Sequence, residues 1–350
     1  GNLTNVTTLG TCAFNSCKAL KTIGDLSKVT SIGYSTFGFC TALESVGNMS
    51  SVTSIDSYAF EGCSSLVRVG NMSNVESIDS NGFVNCSALE HVDELDKITS
   101  IGQYAFMGCT ALKSIGSLHN LETIGQGAFS GCSALEHVDD LYSLTRLEYD
   151  VFSHCVSLIS VDCSDKLTAI GSSAFFGCKA LVSIGDLSNV TSIESSVFRG
   201  CIALKSIGNM PKLESIGMQC FMGCTALETV GDLSSLKEIP SETFDGCTSL
   251  VSIGDLSNVT IIGSYGFNQC KKLTSIPNLG SLERVDQFAF SGCESLALLG
   301  NLRKLTSFGN SPFVNSPFHN CPNLVLEVLP DSAAEQYAKN YSMRYTYITE

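Results

Sequence analysis

The chain has 350 residues, 44% of them apolar and 15% charged, with a net charge of −14 and a pI near 4.7. That apolar share is enough for a continuous core and excludes a disordered chain. No run approaches the 18 apolar residues of a membrane span, so no membrane insertion is expected, and the acidic balance speaks against nucleic acid, whose phosphates are bound by clustered Lys and Arg.

The chain opens on Gly1 in mid-pattern, with no basic start and no apolar signal run, and so reads as a trimmed segment in which any targeting sequence is invisible. From Phe14 a 23-residue unit repeats without slipping, through Phe37, Phe60 and Phe83 to Phe290. Three residues after each Phe stands a cysteine, from Cys17 and Cys40 to Cys293, and three further on a leucine, from Leu20 to Leu296. The beat of three continues through Ile or Val (Ile23, Val46), Leu or Met (Leu26, Met49), Val or Leu (Val29, Val52) and mostly Ile (Ile32, Ile55). Spacing of three suits neither a strand, which alternates by two, nor a helix at 3.6. It fits a flattened coil of short extended pieces and bends, each bend returning an apolar side chain to the inside. One such coil cannot bury its own apolar face, so successive coils stack into a solenoid.

Two glycine columns mark bends, Gly24 to Gly300 and Gly33 to Gly309. Pro277 substitutes in the first and Pro240 in the second. Proline is locked near φ −65°, so these columns ask for a small or bend-forming residue rather than a left-handed one. At the end of the array the in-phase cysteine would fall at Ser316, whereas the motif returns as Phe318, Cys321 and Leu324, which implies an insertion near 311–317. "NLVLEVLP" then reads as a strand. "DSAAEQYAKNY" reads as a helix with Asp331 or Ser332 as its N-cap, and "RYTYITE" closes as a strand. Residues 326–350 are expected to form a cap over the last coil.

The "AFxGCxxL" core, followed by "SIG" and "VTSIG" phrases, resembles the BspA-like, or treponemal-type, leucine-rich repeat family over residues 1–325. The resemblance implies an α/β repeat solenoid: a right-handed leucine-rich-repeat superhelix of about 14 coils with a parallel concave β-sheet, closed by a C-terminal α/β cap. It also implies a bacterial surface or secreted protein that binds host matrix proteins or other bacteria. Where many members read "I-x-IP" this chain has "IGDL" or "VGNM", which leaves the detailed shape of the concave strand open.

The cysteines raise three readings. A zinc site needs donors converging on one point, and this spacing disperses the thiols one per coil. A catalytic thiolate needs a nearby base, and no histidine repeats beside them. Neighbouring coils would hold parallel Cβ atoms wider apart than a disulfide accepts. The in-column cysteines are therefore read as buried free thiols, with Cys163 as the most reactive because it replaces a polar Asp or Asn position. His91 and His137 share a column and read as solvated side chains. Asp25, Asn48, Asn71 and their successors read as turn residues rather than a calcium ladder. No hydrolase, zinc-protease or phosphate-loop motif occurs, so neither an enzyme nor a cofactor is expected.

The column after the invariant leucine varies in charge and polarity from Lys21 to Ala297. Placed beside an extended segment, it is the candidate binding surface, centred on Ile159, Val182, Lys205, Glu228 and Val251. The expected function is non-enzymatic recognition or adhesion, with a protein or glycan ligand. The alternative is a structural spacer projecting another domain.

Overall fold

The structure, a computed structural model, describes residues 3–309 and 316–349. It has two compact units, Gly1–Leu167 with Ala174–Asp186, and Thr168–Ser173 with Leu187–Glu350. Each is a parallel-strand stack of 23-residue coils. A regular coil carries two strands of two residues, nine positions apart, as in Ser45–Val46 and Ser54–Ile55. The first residue of each pair is the more outward and the second, usually Ile or Val, is buried in most pairs and half-buried at Ile115, Ile184, Ile253 and Phe308; the beat of three then forces a bend before the next apolar side chain.

One parallel sheet was expected on the side of Thr22; the structure adds a second. In the first unit the second ladder runs through five strands, from Ser31–Ile32 to Thr123–Ile124, with every partner 23 positions away. In the second unit Glu238–Ile239, Ile261–Ile262, Arg284–Val285 and Ser307–Phe308 form an equivalent ladder. Before the C-terminal strands the first ladder breaks the rule once, in the first unit. There His137–Leu141 and Ser160–Cys163 are five and four residues long, and their register shifts so that Leu141 faces Cys163.

The phenylalanines form the spine of each core. From Phe14 to Phe175 consecutive rings stack at 4.9 to 5.6 Å, and from Phe198 to Phe318 at 5.1 to 5.9 Å. Those separations follow the spacing of neighbouring strands, about 4.8 Å, so a single repeat length sets both backbone pairing and ring stacking.

Each Phe sits in a turn flanked by two left-handed residues, such as Tyr104 (φ 55°) and Gly108 (φ 74°) around Phe106. Backbone donors alternate in purpose there. Tyr104, Phe106 and Gly108 donate to Gln126, Ala128 and Ser130 of the next coil (2.9, 2.8 and 2.9 Å), while Met107 and Cys109 donate within the turn to Tyr104 and Phe106 (both 3.1 Å). The turn is thus fully paired without regular secondary structure. Glycine just before cysteine supplies the second left-handed position at no steric cost. Within the bend columns glycine is required only where coils approach closely: a Cβ on Gly70 would meet the Gly47 carbonyl of the preceding coil, 2.6 Å from its carbon, whereas one on Gly208 would meet nothing.

At the C-terminal end Val325–Val328 pairs in parallel with Leu298–Leu299 and with Arg344–Tyr347, and the helix Ala333–Asn340 lies between the last two strands in sequence. Ser332 is the N-cap: its hydroxyl accepts from the Glu335 N–H (3.2 Å), and the Glu335 carboxylate accepts from the Asp331 N–H (2.8 Å), a variant of the capping box. The same carboxylate pairs with Lys339 (2.8 Å) and accepts from the Tyr347 hydroxyl (2.7 Å). These two contacts, Lys339 first, hold its pKa down at about 2. Tyr337 is buried and stacks on Phe308 at 3.9 Å. Tyr341, Tyr345 and Tyr347 keep partial or full exposure, so of the four tyrosines only Tyr337 is buried, beside Ala334, Ala338, Leu326 and Val328. The insertion expected near 311–317 falls, but for Ser316 and Pro317, outside the described residues. The Cys321 thiol reaches the Phe290 carbonyl across 31 positions, where Cys293 reaches Phe267 across 26.

Candidate interaction surface

The inward columns leave little for chemistry. Fourteen cysteines are buried, Cys12 and Cys17 are exposed and Cys321 is intermediate, and none is bridged. Cys17 and Cys321 therefore depart from the expectation of burial: they belong to the first and last coils, where fewer neighbours cover them. The in-column thiols donate to the carbonyl of the Phe one coil earlier in nearly every coil after the first, as Cys63 does to Phe37 (3.1 Å) and Cys132 to Phe106 (3.2 Å). That carbonyl also accepts from the cysteine N–H inside its own turn, so the sulfur fills its second lone pair. The packing reading of the cysteines thus missed a donor role, which a one-dimensional pattern does not display.

Burial pushes the thiols of Cys109 and Cys178 up to about 12, the form in which they are poor nucleophiles. Cys163 needs correction. It is 7% exposed, and burial first, then Asp162, raises its pKa to about 12. The register shift moves it into the slot of the Leu or Met column, opposite Leu141, while Ser164 takes the polar role and bonds to the Tyr142 carbonyl (2.9 Å). It is a core residue, not a reactive one.

The outward columns bear side chains on ordered backbone. Ile159 and Val182 stand in the first unit, 38% and 42% exposed, with the Val182 N–H donating to the Ile159 carbonyl (2.9 Å). Lys205, Glu228 and Val251 stand in the second unit, all exposed, with N–H donors of Glu228 and Val251 on the carbonyls of Lys205 and Glu228 (2.8 and 2.9 Å). Earlier in the same column Lys113 pairs with Glu90 at 3.1 Å and Lys21 with Glu44 at 3.8 Å; exposed pairs of this kind contribute roughly 0.2–1 kcal/mol each.

His91 and His137 occupy first-ladder strands with Nδ1 on Ser114 Oγ (2.8 Å) and Ser160 Oγ (2.9 Å). The Asp and Asn column makes local turns: Asp255 accepts from the Ser257 N–H (2.8 Å) and Asn71 from the Ser73 N–H (3.0 Å). Among the described residues no group of three His, Cys, Asp or Glu side chains could hold a metal ion, and no helix is long and apolar enough to cross a membrane. A cavity of about 740 Å³, lined among others by Phe318, His319, Cys321, Tyr341 and Met343, lies at the cap, away from the candidate column.

Coils of one length, an inward leucine in each and parallel two-residue strands define a leucine-rich-repeat protein. The chain belongs to the BspA type leucine rich repeat region family, whose model matches in six copies over residues 2–113, 99–228 and 214–333. The fold is similar to the crystal structure of a leucine-rich repeat protein from Bacteroides ovatus, 29% identical, with a TM-score of 0.82, covering 98% of this chain and 88% of that one. A leucine-rich repeat protein from Eubacterium ventriosum is 23% identical over 86% of both chains, with a TM-score of 0.54. A leucine rich cell surface protein from Faecalibacterium prausnitzii is 28% identical over 71% of this chain and 76% of its own, with a TM-score of 0.45. No curated protein matches the sequence.

Proposed function

We propose that this protein is a non-enzymatic recognition module, displayed on a bacterial surface or secreted, that binds a protein or glycan through the outward face of the first ladder. One contrast carries the reading. The Phe, Cys and Leu columns hold one residue type and are buried in every coil between the first and the last, while the column of Ile159 and Val182 in the first unit, and of Lys205, Glu228 and Val251 in the second, is exposed and varied on the same hydrogen-bonded backbone. Side chains on rigid strands form a broad face suited to a macromolecule rather than a pocket for a small one. Family membership supports the surface location by analogy.

The test compares retention of host matrix proteins, mucosal glycans and bacterial surface extracts by the whole chain and by Val182→Asp and Val251→Asp. Both positions are 42% exposed, so the variants are expected to melt as the parent does while losing the retained partner. Unchanged retention by both folded variants overturns the choice of face. Absence of any partner for the parent favours an array that only spaces other domains.

A further inference from the structure

We propose that the first-ladder face of His137–Leu141 and Ser160–Cys163 docks an extended polypeptide segment in which an apolar side chain is followed, two or three positions on, by a lysine or arginine. The inference rests on the recognition function proposed above and specifies its partner chemistry within the first unit.

The repeat breaks at these two strands. Before the cap every other strand among the described residues has two residues; these two have five and four, joined by the register shift that sets Leu141 opposite Cys163. Lengthening a strand extends its alternation, so each gains one more outward side chain: Asp139 and Asp162, both exposed, beyond the buried Val138 and Val161. The corresponding positions in the flanking coils are Gly116 and Gly185. Two carboxylates thus stand on adjoining strands in a column that is otherwise glycine but for Asp93 and Pro277, neither of which has a carboxylate in the next coil.

Like charges side by side on a sheet repel, and here nothing within the chain relieves them: among the described residues no lysine or arginine pairs with Asp139 or Asp162. Their neighbour Asp140 is instead turned aside by a left-handed backbone (φ 67°) and accepts from the Ser117 hydroxyl (2.7 Å). The negative potential is felt locally, since the exposed Tyr142 hydroxyl has its pKa raised, first by partial desolvation and then by Asp140, Asp162 and Asp139.

Ile159 precedes Ser160–Cys163 and Val182 precedes the next strand, Ser183–Ile184, so the two are adjacent; both are aliphatic and more than a third exposed, while Glu136 precedes His137–Leu141. From Ile159 to Asp162 the backbone advances three residues, roughly 10 Å when extended. A bound strand advances at the same rate, so an apolar residue over Ile159 and Val182 places a cation two or three positions later over Asp139 and Asp162. A glycan offers no such cation, and an acidic segment would add to the repulsion.

The probe is a fluorescein-labelled hexapeptide repeating valine, serine and lysine, so that each lysine follows a valine by two positions and shares its face of an extended strand, titrated against the whole chain by anisotropy at low and at physiological salt. Peptides with glutamate for lysine, or serine for valine, serve as controls. Preferential binding of the valine–lysine peptide is expected. The double variant Asp139→Asn with Asp162→Asn should weaken it about three- to tenfold and flatten its salt dependence, as expected for two exposed charge pairs. Ile159→Ser with Val182→Ser should weaken it at both salt concentrations. Removing two exposed acids from the other unit, Glu214→Gln with Glu238→Gln, should leave it unchanged. Equal binding of the basic and acidic peptides, an unaltered affinity in the Asp139/Asp162 variant, or an equal loss in the Glu214/Glu238 variant would overturn the proposal. If Val182→Asp abolishes a partner's retention while the Asp139/Asp162 variant retains it, the recognition face stands and its cationic partner falls.

Discussion

Replacing Cys132 distinguishes packing from hydrogen bonding in the core. Its side chain is fully buried, and its thiol donates to the Phe106 carbonyl, which also accepts from the Cys109 N–H at 3.1 Å. Cys132→Ala removes one heavy atom from a dry core: about 1 kcal/mol of lost transfer, about 0.5 kcal/mol for the residual cavity and about 0.5 kcal/mol for a weak sulfur donor. The sum is about 2 kcal/mol. Cys132→Ser leaves the same space but restores a hydroxyl donor toward the same carbonyl. If the cysteine were only a small hydrophobe, serine would be worse than alanine by about 1–3 kcal/mol, the cost of burying an unpaired hydroxyl. The structure predicts that serine is no worse than alanine. Urea unfolding followed by far-UV circular dichroism reads the difference. A serine variant less stable than the alanine variant by more than about 1 kcal/mol would refute the donor role.

In the native protein, Cys12 and Cys17 should label rapidly and Cys321 more slowly, with the fourteen buried thiols resisting; all 17 should react after denaturation without reductant. Rapid labelling of Cys163 would contradict its placement in the core. Gly131→Ala should cost about 1 kcal/mol through its φ of 75° alone, since an added Cβ meets nothing nearer than 3.8 Å. Gly254→Ala should cost more in a parallel melting series, because its Cβ would collide with the Gly231 backbone of the coil before. Glu335 is held at about 2 in the folded protein against an ordinary 4.5. Its contribution to the cap is therefore present above about pH 4.5 and lost as pH falls toward 2. The protection factors of the amides in Ala333–Asn340, that is, the intrinsic rate at the same pH divided by the exchange rate, should fall over that window in the parent, and Glu335→Gln should remove the Glu335 component of that change.

The solenoid was legible because the Phe, Cys and Leu columns never lose phase, and a fixed phase can be satisfied only by stacking. The cap was legible because "NLVLEVLP" and "DSAAEQYAKNY" change the period from three to two and then to a helical one. The second ladder was not: a strand of two residues, such as Ser54–Ile55, is too short to show alternation. Nor were the left-handed positions around each Phe. Residues as different as Tyr104, Gln219 and Glu242 occupy them, because the inter-coil hydrogen bonds impose the conformation whatever the side chain. Cys163 misled for a similar reason. Column numbering assumes 23 residues between partners, and Leu141 and Cys163 pair at 22. Asp139 and Asp162, by contrast, keep the 23-residue spacing and share the first bend column.

The central claim is that recognition belongs to the outward face of the first ladder. Hydrogen exchange of the whole chain, free and saturated with a retained macromolecular partner, addresses it most directly. Protection is expected at the amides following the variable column, in Ser160–Cys163 or Ser183–Ile184 of the first unit, or in Ser206–Ile207, Thr229–Val230 or Ser252–Ile253 of the second. Protection confined to second-ladder strands such as Ser77–Ile78 or Ile261–Ile262, or to the turns around the phenylalanines, would contradict it.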